Sequence, residues 1–212
     1  MASSMIHLAI TQCLTKKMKF KDSDRLSLGS ILPDGIISGN SHLKKEICDG
    51  TRVTYDLEFF REKFQEEMKQ DDLYLGYYLH LIQDIFYRYF IYSEHDWNPT
   101  IPGNIDRLHR DYAITNWHVV NCYKLNKEMV QAVEIEKEPI TELAEFDVPG
   151  LVEEVRGQFV PIEEDNSFFF TKEMADEFIE RATAFCMEEM KHLSEGKGGL
   201  DSVTWSWEKQ VK

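Results

Sequence analysis

Leu75-Gly76-Tyr77-Tyr78-Leu79-His80-Leu81-Ile82-Gln83-Asp84-Ile85-Phe86 belongs to a longer segment, Leu73 to Tyr92, that is apolar or aromatic around nearly its whole circumference. A helix of that kind sits in the middle of a bundle, since every one of its faces has to be covered. His80 and Asp84 stand four apart and project from one face, about 5 to 6 Å apart at Cβ. That spacing suits two ligands of one metal ion, and it also suits a His–Asp pair that satisfies itself by hydrogen bonding inside an apolar helix. An ionised carboxylate among so many aromatic rings needs a strong partner, which weighs toward the metal.

Helical periodicity continues on both sides of this segment and predicts an all-α, multi-helix bundle. A first helix is expected over Ser4 to Met18, with Ile6, Ile10, Cys13 and Leu14 on one face, and another over Tyr55 to Lys69. Between them, residues 22–50 carry Gly29, Pro33, Gly35, Gly39 and Gly50 and read as a long irregular connection of the kind that often holds function. Downstream of the break at Trp97-Asn98-Pro99, helices are expected over Ile105 to Tyr123, Lys127 to Ile135, Ile140 to Phe146 and Pro149 to Phe159. A long amphipathic helix from Thr171 to Leu193 follows, with Phe178, Ala182, Phe185, Cys186 and Leu193 as its buried face and Met190 at the edge.

The chain has 212 residues, 42% hydrophobic and 29% charged, which fits one globular domain with a sizeable core. Its net charge of −14 argues against a general nucleic-acid or anionic-membrane surface. The charge is uneven: residues 132–201 hold 19 acids and 6 bases, residues 1–131 hold 18 acids and 16 bases. Six of the seven histidines (His7, His42, His80, His95, His109, His118) lie in the nearly neutral half, 1–131, and only His192 lies in the acidic half, 132–212. Chemistry is therefore expected in the first half.

Cys13, Cys48, Cys122 and Cys186 form no CxxC pair and read as reduced, mostly buried thiols. The N-terminal residues lack a basic segment before an uninterrupted apolar run, so no secretion signal or membrane span is expected and the cytoplasm is the default compartment.

Further potential ligands lie at His7, in His7-Leu8-Ala9-Ile10, at Asp34, in Gly29-Ser30-Ile31-Leu32-Pro33-Asp34-Gly35, and at His42. Singly, Asp34 reads as a turn aspartate and His42 as a loop histidine. Taken in order with Gly76-Tyr77-x-x-His80-x-x-x-Asp84, these stretches resemble the zinc-dependent phospholipase C family over residues 6–90. The resemblance implies an all-α bundle of that type, with Asp34, His42, His80 and Asp84 as ligands and His7 completing a neighbouring site that shares Asp84. It further implies that His95 and His109 serve a third site. There the family's His-x-x-x-Glu pair meets Ala113 instead of Glu, with Asp111 as the available substitute.

Secreted members of that family use their terminal amine as a ligand. Six residues precede His7 here, so the site near His7 is expected to be completed by water or to be missing. Imidazole and carboxylate ligands suit zinc or another divalent transition metal.

The function so implied is a metal-dependent phosphoester hydrolase acting on a small phosphoester or a phospholipid, with Asp34 the candidate to orient or deprotonate the attacking water. Two alternatives remain open. His95-Asp96 is the only His-Asp doublet and raises an HD-type phosphohydrolase. The missing Glu after His109 raises a non-catalytic metal-binding or interaction protein on the same scaffold. His118 and Cys122, also four apart, are expected to be a packed pair in the core.

Overall fold

Asp71, whose side chain accepts the Leu73 amide hydrogen, caps the central helix of the molecule, and the apolar segment read above follows it as α5 (Asp72–Arg88). The computed structural model describes residues 2–162 and 166–209. It is 59% helix and 8% strand. Before α5 come α1 (Ser4–Lys17), α2 (Ser23–Gly29), β1 (Ile36–Gly39), β2 (Lys44–Ile47), β3 (Arg52–Tyr55), α3 (Leu57–Lys63) and α4 (Gln65–Gln70). After it come α6 (Asn104–Tyr123), β4 (Ala144–Phe146), α7 (Val148–Gly157), α8 (Lys172–Ser194) and β5 (Trp207–Glu208).

All but two residues of α5 are buried, as an all-round apolar helix requires. On one side α2 packs against it through facing glycines. A Cβ on Gly29 would lie 2.1 Å from the Leu73 carbonyl oxygen, and one on Gly76 would lie 2.4 Å from the Leu26 carbonyl oxygen. Only hydrogen side chains permit that approach. On another side α8 brings Phe178 against Phe86, Tyr87 and Phe90, with ring centroids 5.0–5.6 Å apart. Phe185 and Leu193 of α8 are half-buried, whereas Met190, expected at the edge, is buried.

Residues 22–50 are more regular than their glycine content suggested. Asp22 caps α2 by accepting the Asp24 and Arg25 amide hydrogens, a 3₁₀ turn spans Leu32–Asp34, and β1 and β2 follow. These strands are four residues long and mostly exposed, so no alternation of apolar and polar residues marks them. β1 pairs antiparallel with β4, and the Asp147 amide donates to the Gly35 carbonyl at 2.9 Å, so the segment carrying Asp34 is clamped by the acidic half. β2, β3 and β5 form a second antiparallel sheet in that order.

Other expectations are corrected. Tyr55 ends a strand, and the helix foreseen from Tyr55 to Lys69 breaks at Phe64, whose ring is buried. Lys127 to Ile135 holds only a 3₁₀ turn, Lys127–Met129, and Ile140 to Phe146 holds the end of a 3₁₀ turn followed by β4. Pro139 opens that turn, at a first position where a backbone amide would find no partner within the turn. Of the cysteines, only Cys186 is buried; Cys13 is half-buried, and Cys48 and Cys122 are exposed. Among the described residues, no helix is long and apolar enough to cross a membrane.

Candidate metal centre

Five of the side chains singled out in the sequence meet at one place. His7 comes from α1, Asp34 from the end of the 3₁₀ turn, His42 from the β1–β2 connection, and His80 and Asp84 from successive turns of α5. Their ligand atoms fall into two overlapping groups, His7–Asp34–His80 and His42–His80–Asp84, each with all atoms within 4.8 Å.

The three imidazoles are oriented alike. The His80 Nδ1 is 2.8 Å from the Ser30 carbonyl oxygen, the His7 Nδ1 is 2.7 Å from Gln83 Oε1, and the His42 Nδ1 is 3.1 Å from Ser41 Oγ. A carbonyl oxygen only accepts, so His80 and His7 each carry a hydrogen on Nδ1 and turn Nε2 inward. Fixing the tautomer through the outer nitrogen is how proteins aim histidine ligands. Tyr77 donates its hydroxyl to the Ser41 carbonyl at 2.5 Å and so ties the His42 loop to α5. Leu43, the next residue, is buried at φ +50°, a left-handed conformation that costs energy for a leucine and is held by this packing.

The inward distances from His42 are those of a coordination polyhedron, and those from His80 to the carboxylates are longer. His42 Nε2 lies 3.2 Å from His80 Nε2, 3.4 Å from Asp34 Oδ1 and 3.5 Å from Asp84 Oδ2. His80 Nε2 lies 3.9 Å from Asp34 Oδ1 and 3.8 Å from Asp84 Oδ2. Bonds of about 2.0–2.1 Å at tetrahedral angles separate ligand atoms by about 3.3–3.4 Å. The other Asp84 oxygen, Oδ1, lies 3.5 Å from His7 Nε2, so one carboxylate faces both imidazole groups.

His7, His80 and Asp84 are fully buried, yet His7 Nε2 and Asp34 Oδ1 are buried with no hydrogen-bond partner. Orphaned buried polar atoms at the focus of five ligand-type side chains fit a bound cation, and nitrogen and oxygen donors of this kind fit a divalent transition metal. Asp34 is the most open of the five, its side chain 18% exposed, and so marks the solvent side.

Electrostatics keep His80, Asp84 and Asp34 in ligating form. Burial, with help from the neighbouring His7, pushes the His80 imidazole down to about 3, so it is neutral. Burial would raise Asp84, but the neighbouring His7 and His80 imidazoles outweigh it and hold the carboxyl well below its usual range. Asp34 is likewise lowered, with burial opposed by His80 and His42. His7 moves up, because Asp84 outweighs its burial.

Two further groups went unread in the sequence. Gln83 sits inside the quoted stretch and orients His7; a buried amide in an otherwise apolar helix turn was its signal. The Ala2 amide donates to Asp84 Oδ1 at 3.0 Å, so the chain ahead of His7 folds onto the centre instead of leading away from it.

His95 and His109 fall in neither ligand group. His95 is half-buried against the Phe90 ring, and His109 is exposed beside Tyr112. Asp111, the suggested substitute ligand, is occupied structurally: its carboxylate accepts the amide hydrogens of Phe168, Phe169 and Phe170 at 2.7–2.8 Å. The His95-Asp96 doublet lies past the end of a π-helical turn, Tyr89–Glu94, with Asp96 at φ +51°, outside any regular helix. His118 and Cys122 are not a core pair: Cys122 is exposed, and His118 Nε2 is 2.8 Å from Asp176 Oδ2.

Searches against known protein families, curated proteins and solved structures return no match for this chain.

Proposed function

We propose that the chain is a metal-dependent phosphoester hydrolase of the phospholipase C-like type, its centre holding zinc or another divalent transition metal on Asp34, His42, His80, Asp84 and His7. The single observation that carries this reading is the convergence of three Nε2 atoms and two carboxylates around buried atoms that lack partners. Cations held there supply positive charge that acidifies a water molecule and neutralises phosphoryl oxygens.

The chain's own residues do the rest. His42, His80 and Asp84 fix the geometry, while Gln83 and Ser30 hold the imidazoles in one tautomer. Asp34, the open carboxylate, orients the attacking water and takes its proton. Tyr55 donates to Asp84 Oδ2 at 3.4 Å and keeps that carboxylate turned toward the centre.

The competing reading is a metal-binding protein without turnover, favoured by the placement of His95 and His109 outside the centre. Zinc-loaded protein assayed with bis(p-nitrophenyl) phosphate and p-nitrophenyl phosphate separates the two. Turnover abolished by chelator and restored by metal supports the hydrolase; bound metal without turnover on either ester supports the binding protein. The HD-type alternative loses ground because its doublet lies outside any regular helix.

A further inference from the structure

Arg88 continues the stripe that His80 and Asp84 begin, one more turn along the same face of α5. Its guanidinium is half-buried, with its carbon 4.4 Å from the Trp207 ring centroid. Its Nε makes a long contact of 3.5 Å with the Tyr55 hydroxyl, the same hydroxyl that donates to Asp84. Among the described residues, Arg88 forms no ion pair. The Arg88 charge is favoured by the Tyr55 hydroxyl and, at longer range, by Asp84, and no carboxylate of the described residues contacts the guanidinium directly.

Arg88 lines a cavity of about 540 Å³, and Arg52 from β3 lines it too. The Arg52 Nη2 donates to the Ser206 carbonyl, but its Nε is buried without a partner. Tyr92, Ser93, Asn98 and Thr100 are part of its polar wall, and Glu208 is the single acid among the lining residues.

We propose that this cavity is an oxyanion site of the phosphate class, formed by Arg88, one turn of α5 beyond Asp84, and Arg52, and that it receives a second anionic group of the substrate. Guanidinium forks match phosphate geometry in two-point contacts, and a low-dielectric wall such as Trp207 strengthens them. The substrate part of the proposal rests on the hydrolase reading; the anion site does not.

The test is calorimetric titration of inorganic phosphate, in chloride buffer, into the full chain after metal removal by chelator and dialysis. One phosphate per chain is expected, bound at least tenfold more weakly by Arg88→Gln and within twofold of the original affinity by His80→Ala. Binding that requires metal, binding unaffected by Arg88→Gln, or no binding by the folded metal-free chain overturns the site. Should Arg88→Gln fail to fold, Arg88→Lys and Arg52→Gln carry the test, each expected to weaken phosphate at least threefold; unchanged affinity in both overturns it.

With metal-loaded protein and a diester, competitive inhibition by phosphate that disappears in the Arg88 variant supports the substrate role. Phosphate that lowers turnover without competing, through Arg88, overturns that role and identifies free phosphate as the ligand. Phosphate binding without any ester hydrolysis refutes the hydrolase reading and leaves the anion site standing.

Discussion

The Nε2 atoms of His42 and His80 face each other at 3.2 Å, while the Nδ1 of His80 is committed to the Ser30 carbonyl. Two lone pairs aimed at each other across so short a gap repel unless a proton or a cation lies between them. Burial holds His80 neutral, and two carboxylate oxygens stand 3.4–3.9 Å from these nitrogens, so a cation is the better complement.

If that is so, His80→Ala removes the nitrogen common to both ligand groups. Chelator lowers the melting temperature of the wild-type chain charged with zinc, because metal bound only by the folded state stabilises it. In His80→Ala the chelator effect disappears, while the helical circular dichroism signal persists because alanine favours a helix. His118→Ala, whose Asp176 contact is partly exposed, keeps the chelator effect and loses at most about 1 kcal/mol. Equal behaviour of the two variants refutes the assignment.

Gly76→Ala tests how the ligands are held together. A methyl at residue 76 would meet the Leu26 carbonyl at 2.4 Å and the Ser30 amide nitrogen at 3.0 Å, forcing α2 away from α5. Ser30 is the residue whose carbonyl orients His80, and Asp34 follows it closely, so the shift disturbs two ligands at once. The expected cost is about 1–3 kcal/mol with weaker metal retention. Gly157→Ala, with open space around the added methyl, leaves stability and metal content unchanged; melting curves and metal analysis of both variants check this.

The legibility of this arrangement in the sequence follows from the range of each contact. His80 and Asp84 are one helical turn apart, so their shared face was readable from spacing alone. Asp34 and His42 reach them only through a glycine-dependent helix contact and a strand clamped to residues 144–146, which local periodicity does not encode. Their place in the group came from a family resemblance. The Ser30 carbonyl and Ala2 amide are backbone groups and carry no residue signal at all. The short strands escaped for a similar reason: β2, Lys44-Lys45-Glu46-Ile47, is held by pairing with β3 and not by an apolar face.

Acid titration of the metal-free chain has a definite sign. His80 is pushed down to about 3 in the folded state, against 6.5 for a free imidazole, so below 6.5 the unfolded chain gains a proton that the folded chain refuses. Stability therefore falls with pH, by about 2 kcal/mol from this group at pH 5. Asp34 and Asp84, both lowered, add to the loss as pH falls through the acid range. His7 works oppositely: its raised value gives stability that is full below 6.5 and is lost as pH rises through it. Urea unfolding at pH 7.5, 6 and 5 should show a net loss on acidification in the wild type, and a flat or reversed trend in His80→Ala.

The most direct measurement is the metal content of the chain after equilibrium dialysis against zinc, read by elemental analysis beside His80→Ala. The convergence of five ligand-type side chains predicts at least one tightly held ion per wild-type chain. It predicts loss of that metal in His80→Ala. A folded wild-type chain that retains no zinc, or a variant that retains as much as the wild type, contradicts a metal centre at these residues.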